Sequence, residues 1–363
     1  MPTARIRTGS PVESWPCCDL DWDMRLPRAP IHRCAAIAAL SVLVMLPAFG
    51  ESEPRLPDGT IERIDAVLEE AADANAGCAL VVWIDGETVY ENGFGGLMPE
   101  TVIPIVSASK WLAGATIMTL VDVRLLSLDA RVTDLFPTLE EPLVLVRHLF
   151  SHTSGLPGDA SVCSDWMLLG DCAAAIAGLQ IVTMPGKVFE YGELSMQIGG
   201  HLAELATGKT WHELFAERLT QPLDMPDTDY KTFGETTNPV VGGGAQSSAL
   251  NYARFLQMLL DGGTCGEERI LSQEAVAEIL TDQLAETAIR PEAGYGIGCW
   301  GYRLDPETSR FRFATSPGAY GFIPWIDLDR NLAGVLAANS CYDCVEAYWE
   351  EVLSILEETF PLP

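Results

Sequence analysis

Apolar residues at Ile61, Ile64, Val67, Leu68 and Ala71 recur at helical spacing and predict an amphipathic helix over 61–76. Cys78-Ala-Leu-Val-Val-Trp-Ile84 then runs almost wholly apolar, as a strand buried on both faces does. Asp85-Gly86 is the hairpin turn into Glu87-Thr-Val-Tyr-Glu91. After a loop, an apolar helix is expected from Ser107 through Leu120 and Val123. A short connecting element over Leu126–Pro137 and a helical turn or two over Leu143–Phe150 follow. Helices are predicted at about 164–179, 194–207, 210–220, 247–261 and 273–284. Past Gly294 the pattern changes to strands at 295–303, 310–315, 320–327 and 331–338, and an amphipathic helix over 345–359 closes the chain. Strands at both ends with helices between them predict an α+β fold: an antiparallel sheet flanked by helices, with an all-helical region inserted at roughly 107–290.

The N-terminal stretch breaks this pattern. Met24 to Arg33 is cationic, Cys34 to Leu46 is apolar, and Ala48-Phe-Gly50 offers small residues where a signal peptidase cleaves. The apolar run is short for a membrane span. Residues 24–50 are therefore expected to be a signal peptide, with an uncleaved anchor as the alternative. Residues 1–23 are expected to be an upstream extension or a misassigned start, and 51–363 the working domain. At 363 residues the chain carries a net charge of -29. Loss of residues 1–50 takes five basic and four acidic side chains from totals of 22 and 51, leaving 17 against 47. Such acidity disfavours nucleic acid and anionic membranes, which need cationic counter-surfaces.

Seven cysteines lie beyond residue 50, without the His-rich spacing of a zinc site. Disulfides in an oxidising compartment are the expected use, which puts the protein in the periplasm or outside the cell. Cys163 with Cys172 and Cys341 with Cys344 are local candidates, Cys265 with Cys299 a longer one, and Cys78 the odd thiol.

Ser107-Ala-Ser-Lys110 is the stretch that carries chemistry. If the helix starts at Ser107, hydroxyl and amine lie one turn apart on one face. A hydroxyl needs a base to become a nucleophile, and a desolvated lysine can be one. The helix N-terminus adds N–H groups beside a developing oxyanion. Ser109 is adjacent to Lys110 and does not face it. Alone, S-x-x-K is a weak signal.

Further motifs follow in order: Leu126-Ser-Leu-Asp129, Leu135-Phe-Pro137, Arg147-His-Leu-Phe-Ser-His-Thr-Ser-Gly-Leu-Pro157, Phe189-Glu-Tyr191, Thr207 to Met225, Gly242-Gly-Gly-Ala-Gln-Ser-Ser-Ala, Tyr295-Gly-Ile-Gly298 and Gly321 to Asp329. Together they resemble the serine β-lactamase and penicillin-binding-protein superfamily, and within it the class C β-lactamase-related hydrolases, over nearly all of residues 61–360.

That resemblance implies a β-lactamase/transpeptidase-like fold and an acyl-enzyme on Ser107, with Lys110 and Tyr191 as proton-transfer groups. It implies an oxyanion hole from the N–H groups of Ser107 and Ala319, and no cofactor or metal. His148 and His152 belong to a loop that the family uses structurally. His201 and His212 are ordinary helix residues, and Gly242–Gly244 lacks the G-K-[ST] of a phosphate loop.

Departures bear on substrate. The family's Y-x-N reads Tyr191-Gly-Glu193, and K-T-G or H-x-G reads Ser316-Pro-Gly318, which is closer to esterase-type members. Glu193, Ser316, Gly318 and Tyr320 are the expected substrate-binding positions. The cation that would pair with a substrate carboxylate is missing, and Glu193 would repel one. Small neutral or cationic esters and amides are the expected substrates, with a β-lactamase or D-Ala-D-Ala peptidase and a catalytically inactive binding protein as alternatives. Trp166, Tyr320 and Trp325 stand either as pocket walls or as packing.

Overall fold

The computed structural model describes residues 56–362 apart from Asp165. The expected signal peptide and upstream extension lie outside the described residues. Among those residues, seven strands form one antiparallel sheet, in the spatial order Glu87–Phe94, Cys78–Ile84, Leu332–Ala338, Phe322–Asp327, Phe311–Thr315, Trp300–Leu304 and Gly294–Tyr295. Early and late strands meet mid-sheet, with Val81 opposite Val335. The hairpin after Cys78–Ile84 turns on Asp85 at φ 51° and Gly86 at φ 85°, the left-handed pair that matches strand twist.

The unbroken apolar runs have a direct cause: both faces of the sheet are covered. Side chains alternate between faces along a strand. Leu80, Val82, Ile323, Trp325 and Leu336 join a core with the helices Asp58–Asn75 and Tyr342–Thr359. Ala79, Val81, Phe322, Val335 and Ala337 face the other way, into a core shared with the helical region. The centre of that second core is the helix Ser109–Asp122, buried from Ser109 to Leu120 and apolar on all sides because packing surrounds it. Gly114 lets it touch neighbouring chain: a Cβ there would lie 2.3 Å from the Ile297 carbonyl oxygen.

Several expectations are corrected. The strand expected over 295–303 is split into Gly294–Tyr295 and Trp300–Leu304. Between them Gly298, at φ 85°, presses onto the Lys110 carbonyl, where a Cβ would approach to 2.1 Å. The helix expected over 164–179 is Leu169–Ala177, with upstream chain tied to it by the Cys163–Cys172 disulfide. Cys341–Cys344 is also bonded. Cys265 and Cys299 are not: Cys265 sits in a small hairpin with Glu268–Arg269, and Cys299 is buried with its thiol on the Ile279 carbonyl. Three thiols are thus free among the described residues, Cys78 being one. Trp325 is packing, fully buried away from the helical region, its indole over Gly334 where a Cβ would come within 2.1 Å. Trp166 is 93% exposed.

Candidate active site

Ser107 lies in a tight 3-10 turn, Val106–Ala108, and the α-helix begins only at Ser109. The α-helix therefore begins two residues later than expected. The turn is entered through Val106 at φ 45°, an unfavourable conformation for a β-branched residue. Its neighbours hold it from several sides. The Ser316 hydroxyl donates to the Ser107 carbonyl at 3.1 Å, the Tyr252 hydroxyl to the Ala108 carbonyl at 2.8 Å, and the Ala245 N–H to Ser109 Oγ at 3.1 Å. Ser109 is thereby occupied structurally, as its position beside Lys110 implied.

Lys110 is wholly buried. Its Nζ donates to Ser107 Oγ at 3.3 Å, to the Gly242 carbonyl at 2.9 Å, and to Glu193 Oε1 in a short ion pair. An ammonium has three donors and no acceptor, so these contacts use all of it. Glu193 stands just before the helix Leu194–Thr207, which presents its carboxylate to Lys110. Its second oxygen, Oε2, is buried without a hydrogen-bond partner among the described residues. A Cβ on Gly242 would lie 2.4 Å from Oε2, and one on Gly243 3.4 Å. The glycine run that invites comparison with a phosphate loop instead makes room for a carboxylate and supplies a carbonyl to the lysine.

Tyr191 presents its ring, with Lys110 Nζ 4.8 Å from the centroid. Its hydroxyl is not among the hydrogen-bond partners of Lys110, and the ring stacks on Trp300 at 5.5 Å. Phe189, Tyr295 and His152 complete an aromatic wall. Sequence reasoning did not single out Trp300 or Tyr295 as part of the site. Trp300 reads from its spacing only as a strand residue, and Tyr295 only as the head of the Tyr295–Gly298 motif, without a site role.

His152 is buried behind Tyr191, its Nε2 3.1 Å from the Tyr295 hydroxyl. Burial, then the Lys110 charge, holds its pKa well below the ordinary value. His148 accepts the Leu145 N–H at 3.2 Å and is pushed down to about 4 by burial, then by Arg147. Both contacts fit the loop-building role expected of these histidines. His201 pairs with Glu204, and His212 meets the Thr236 carbonyl.

The unfolded chain binds these protons and the native one refuses them, so stability contributed by His148 is full above 6.5 and falls as pH drops from 6.5 towards 4. After allowance for partial solvent access, this amounts to about 2 kcal/mol. Urea midpoints at pH 7.5 and pH 4.5 are expected to lie measurably closer together in His148→Gln than in the parent. Equal spacing in both would refute this assignment.

Of the remaining expected positions, Ser316 is buried and its hydroxyl spans the Ser107 and Gly298 carbonyls, so it holds backbone. Gly318 touches the nucleophile loop, a Cβ there lying 2.2 Å from the Ile105 carbonyl oxygen. Ala319 follows in the turn closed by Gly321 N–H on Gly318 O, and Tyr320 is exposed beside it. The Ala319 N–H makes no hydrogen bond among the described residues.

A sheet covered on one face by terminal helices and on the other by a helical region, with Ser-x-x-Lys at the seam, is the architecture of the β-lactamase/transpeptidase proteins. The Beta-lactamase family model matches residues 64–356, and the chain belongs to that family of hydrolases. It is 31% identical over 182 residues to Penicillin-binding protein 4 of Amycolatopsis lactamdurans, a match covering 45% of this chain and 46% of that one. The chain thus spans about half the length of that relative. A solved structure from Bacteroides dorei DSM 17855, assigned as a beta-lactamase, superposes with a TM-score of 0.74 at 29% identity, covering 82% of this chain and 99% of the other. A family VIII carboxylesterase gives 0.65 at 18% identity, covering 84% and 99%, a likeness of fold.

Proposed function

We propose that this protein is an exported serine hydrolase of the class C β-lactamase-related, carboxylesterase type. It cleaves small neutral or cationic esters or amides through an acyl-enzyme on Ser107. The observation that carries the reading is the buried Lys110 amine 3.3 Å from Ser107 Oγ. Oγ attacks the substrate carbonyl, Lys110 and Tyr191 manage its proton, and water then releases the acyl group with the same residues reversing their roles. The N–H groups of Ser107 and Ala319 stabilise the oxyanion. The Tyr191–Trp300 wall favours apolar or aromatic substituents next to the reacting carbonyl.

Two features support esters over β-lactams. Lys110 is already neutralised by Glu193, and Ser316 is buried where a cation-led motif would place a carboxylate partner. The two disulfides support export into an oxidising compartment. The likeness to a penicillin-binding protein of A. lactamdurans and to the B. dorei beta-lactamase structure keeps chromogenic cephalosporin hydrolysis as the control reaction.

The test is fluorophosphonate labelling with the modified peptide located by mass spectrometry, beside turnover of short-chain p-nitrophenyl esters. The expected label is on Ser107, with ester turnover exceeding cephalosporin turnover and both label and turnover absent in Ser107→Ala. Label elsewhere, or none together with background rates in both proteins, would remove the acyl-enzyme reading.

A further inference from the structure

The hydrogen bonds around Lys110 pose a problem of direction. All three donors of its ammonium are committed, one of them to Ser107 Oγ, so in this arrangement the lysine gives a hydrogen bond to the nucleophile. It has no lone pair with which to take the serine's proton. To act as base it must first surrender one, and Glu193 Oε1 is the carboxylate already hydrogen-bonded to it. The Gly242 carbonyl, its third partner, cannot hold a proton at ordinary pH. The room that Gly242 leaves beside Oε2 lets the carboxylate keep this position.

We propose, building on the acyl-enzyme reading, that Glu193 is the positioning residue that receives the proton Lys110 gives up when Ser107 attacks. As the bond from Oγ to the substrate carbonyl carbon forms, the Oγ–H bond breaks and its proton passes to Nζ. One Nζ proton passes at the same time to Oε1, and the negative charge moves to the substrate oxyanion. On collapse, Nζ protonates the leaving oxygen or nitrogen and recovers its proton from Oε1. Atoms and charge balance without any other reactant. The ionisable groups facing the pair are Tyr191 over Nζ, His152 behind it, and the buried Tyr230 and Tyr295. His152 is held neutral by burial and by Lys110. Burial raises both Tyr230 and Tyr295 and leaves them protonated. His152, Tyr230 and Tyr295 therefore do not compete for the proton in the neutral range.

The experiment is the pH profile of kcat/KM for p-nitrophenyl butyrate, using the full chain and Glu193→Gln, Glu193→Asn and Glu193→Asp. Without a carboxylate the lysine can shed its proton only to solvent. The Gln and Asn variants should therefore lose about 100-fold in kcat with KM nearly unchanged, and the rising limb of the profile should move at least about one unit towards alkaline pH. Glu193→Asp should recover at least about tenfold of that loss, because it restores the acceptor. A rising limb that stays in place or moves towards acid in both the Gln and Asn variants would overturn the proposal, since a purely electrostatic carboxylate would ease lysine deprotonation once removed. Labelling of Ser107 in the parent separates this failure from failure of the acyl-enzyme reading.

Discussion

Lys110→Met is expected to lose about a thousandfold in ester turnover, the order that a positioned proton-transfer group contributes. It is also expected to lose about 2 kcal/mol of stability. Methionine fills the buried volume but leaves the Glu193 carboxylate facing a site with no counter-charge. Breaking a buried pair typically costs 3–5 kcal/mol, roughly, and the one-third exposure of Glu193 reduces that. Lys110→Met/Glu193→Gln should therefore regain stability in urea unfolding while staying inactive. If the single variant keeps turnover within tenfold of the parent, Lys110 is not the proton-transfer group. If the double variant is no more stable than the single one, the pair does not carry the stability assigned to it.

Gly318→Ala is expected to be damaging although only one methyl group is added. Its Cβ would fall 2.2 Å from the Ile105 carbonyl oxygen, and backbone on both sides leaves no flexible side chain to give way. Gly318 is also pinned by its N–H on the Phe322 carbonyl at 2.8 Å. Relief must come from moving the nucleophile loop and the turn bearing Ala319 apart, which widens the proposed oxyanion hole. A fall of about 100-fold in kcat/KM is expected, the size seen when one oxyanion donor is lost. A stability loss of about 2 kcal/mol should accompany it, as for other overpacked sites. Steady-state ester kinetics with thermal unfolding decides the matter: a variant with parental kinetics would show that the turn relaxes without opening the site.

Much of the fold was legible because local pattern and tertiary placement agree. The helix expected over 194–207 is Leu194–Thr207, and the strand expected over 331–338 is Leu332–Ala338. Where reading failed, long-range contacts had overridden local pattern. The run 295–303 carries strand-forming residues, yet Gly298 must press against the nucleophile helix, and the strand breaks there. Cys265 and Cys299 stand nearest each other along the chain among the cysteines left unpaired locally, but spacing says nothing about where a hairpin or a strand break carries each thiol in space. Trp325 alternates correctly along its strand, but only sheet packing shows which core that face enters.

The sequence by itself determined the serine and lysine on one turn, the two-faced strands and the order of motifs, because these depend on spacing along a few residues. Only the tertiary structure decided what Lys110 is paired with. Its partners Glu193 and Gly242 lie 83 and 132 residues away, and the Ser316 hydroxyl that fixes the Ser107 carbonyl lies 209 residues on. A carboxylate in place of the usual amide reads from the sequence as a change in substrate preference. Folded against a buried ammonium, it becomes part of the proton path, since charge pairing depends on distance in space and not on separation along the chain.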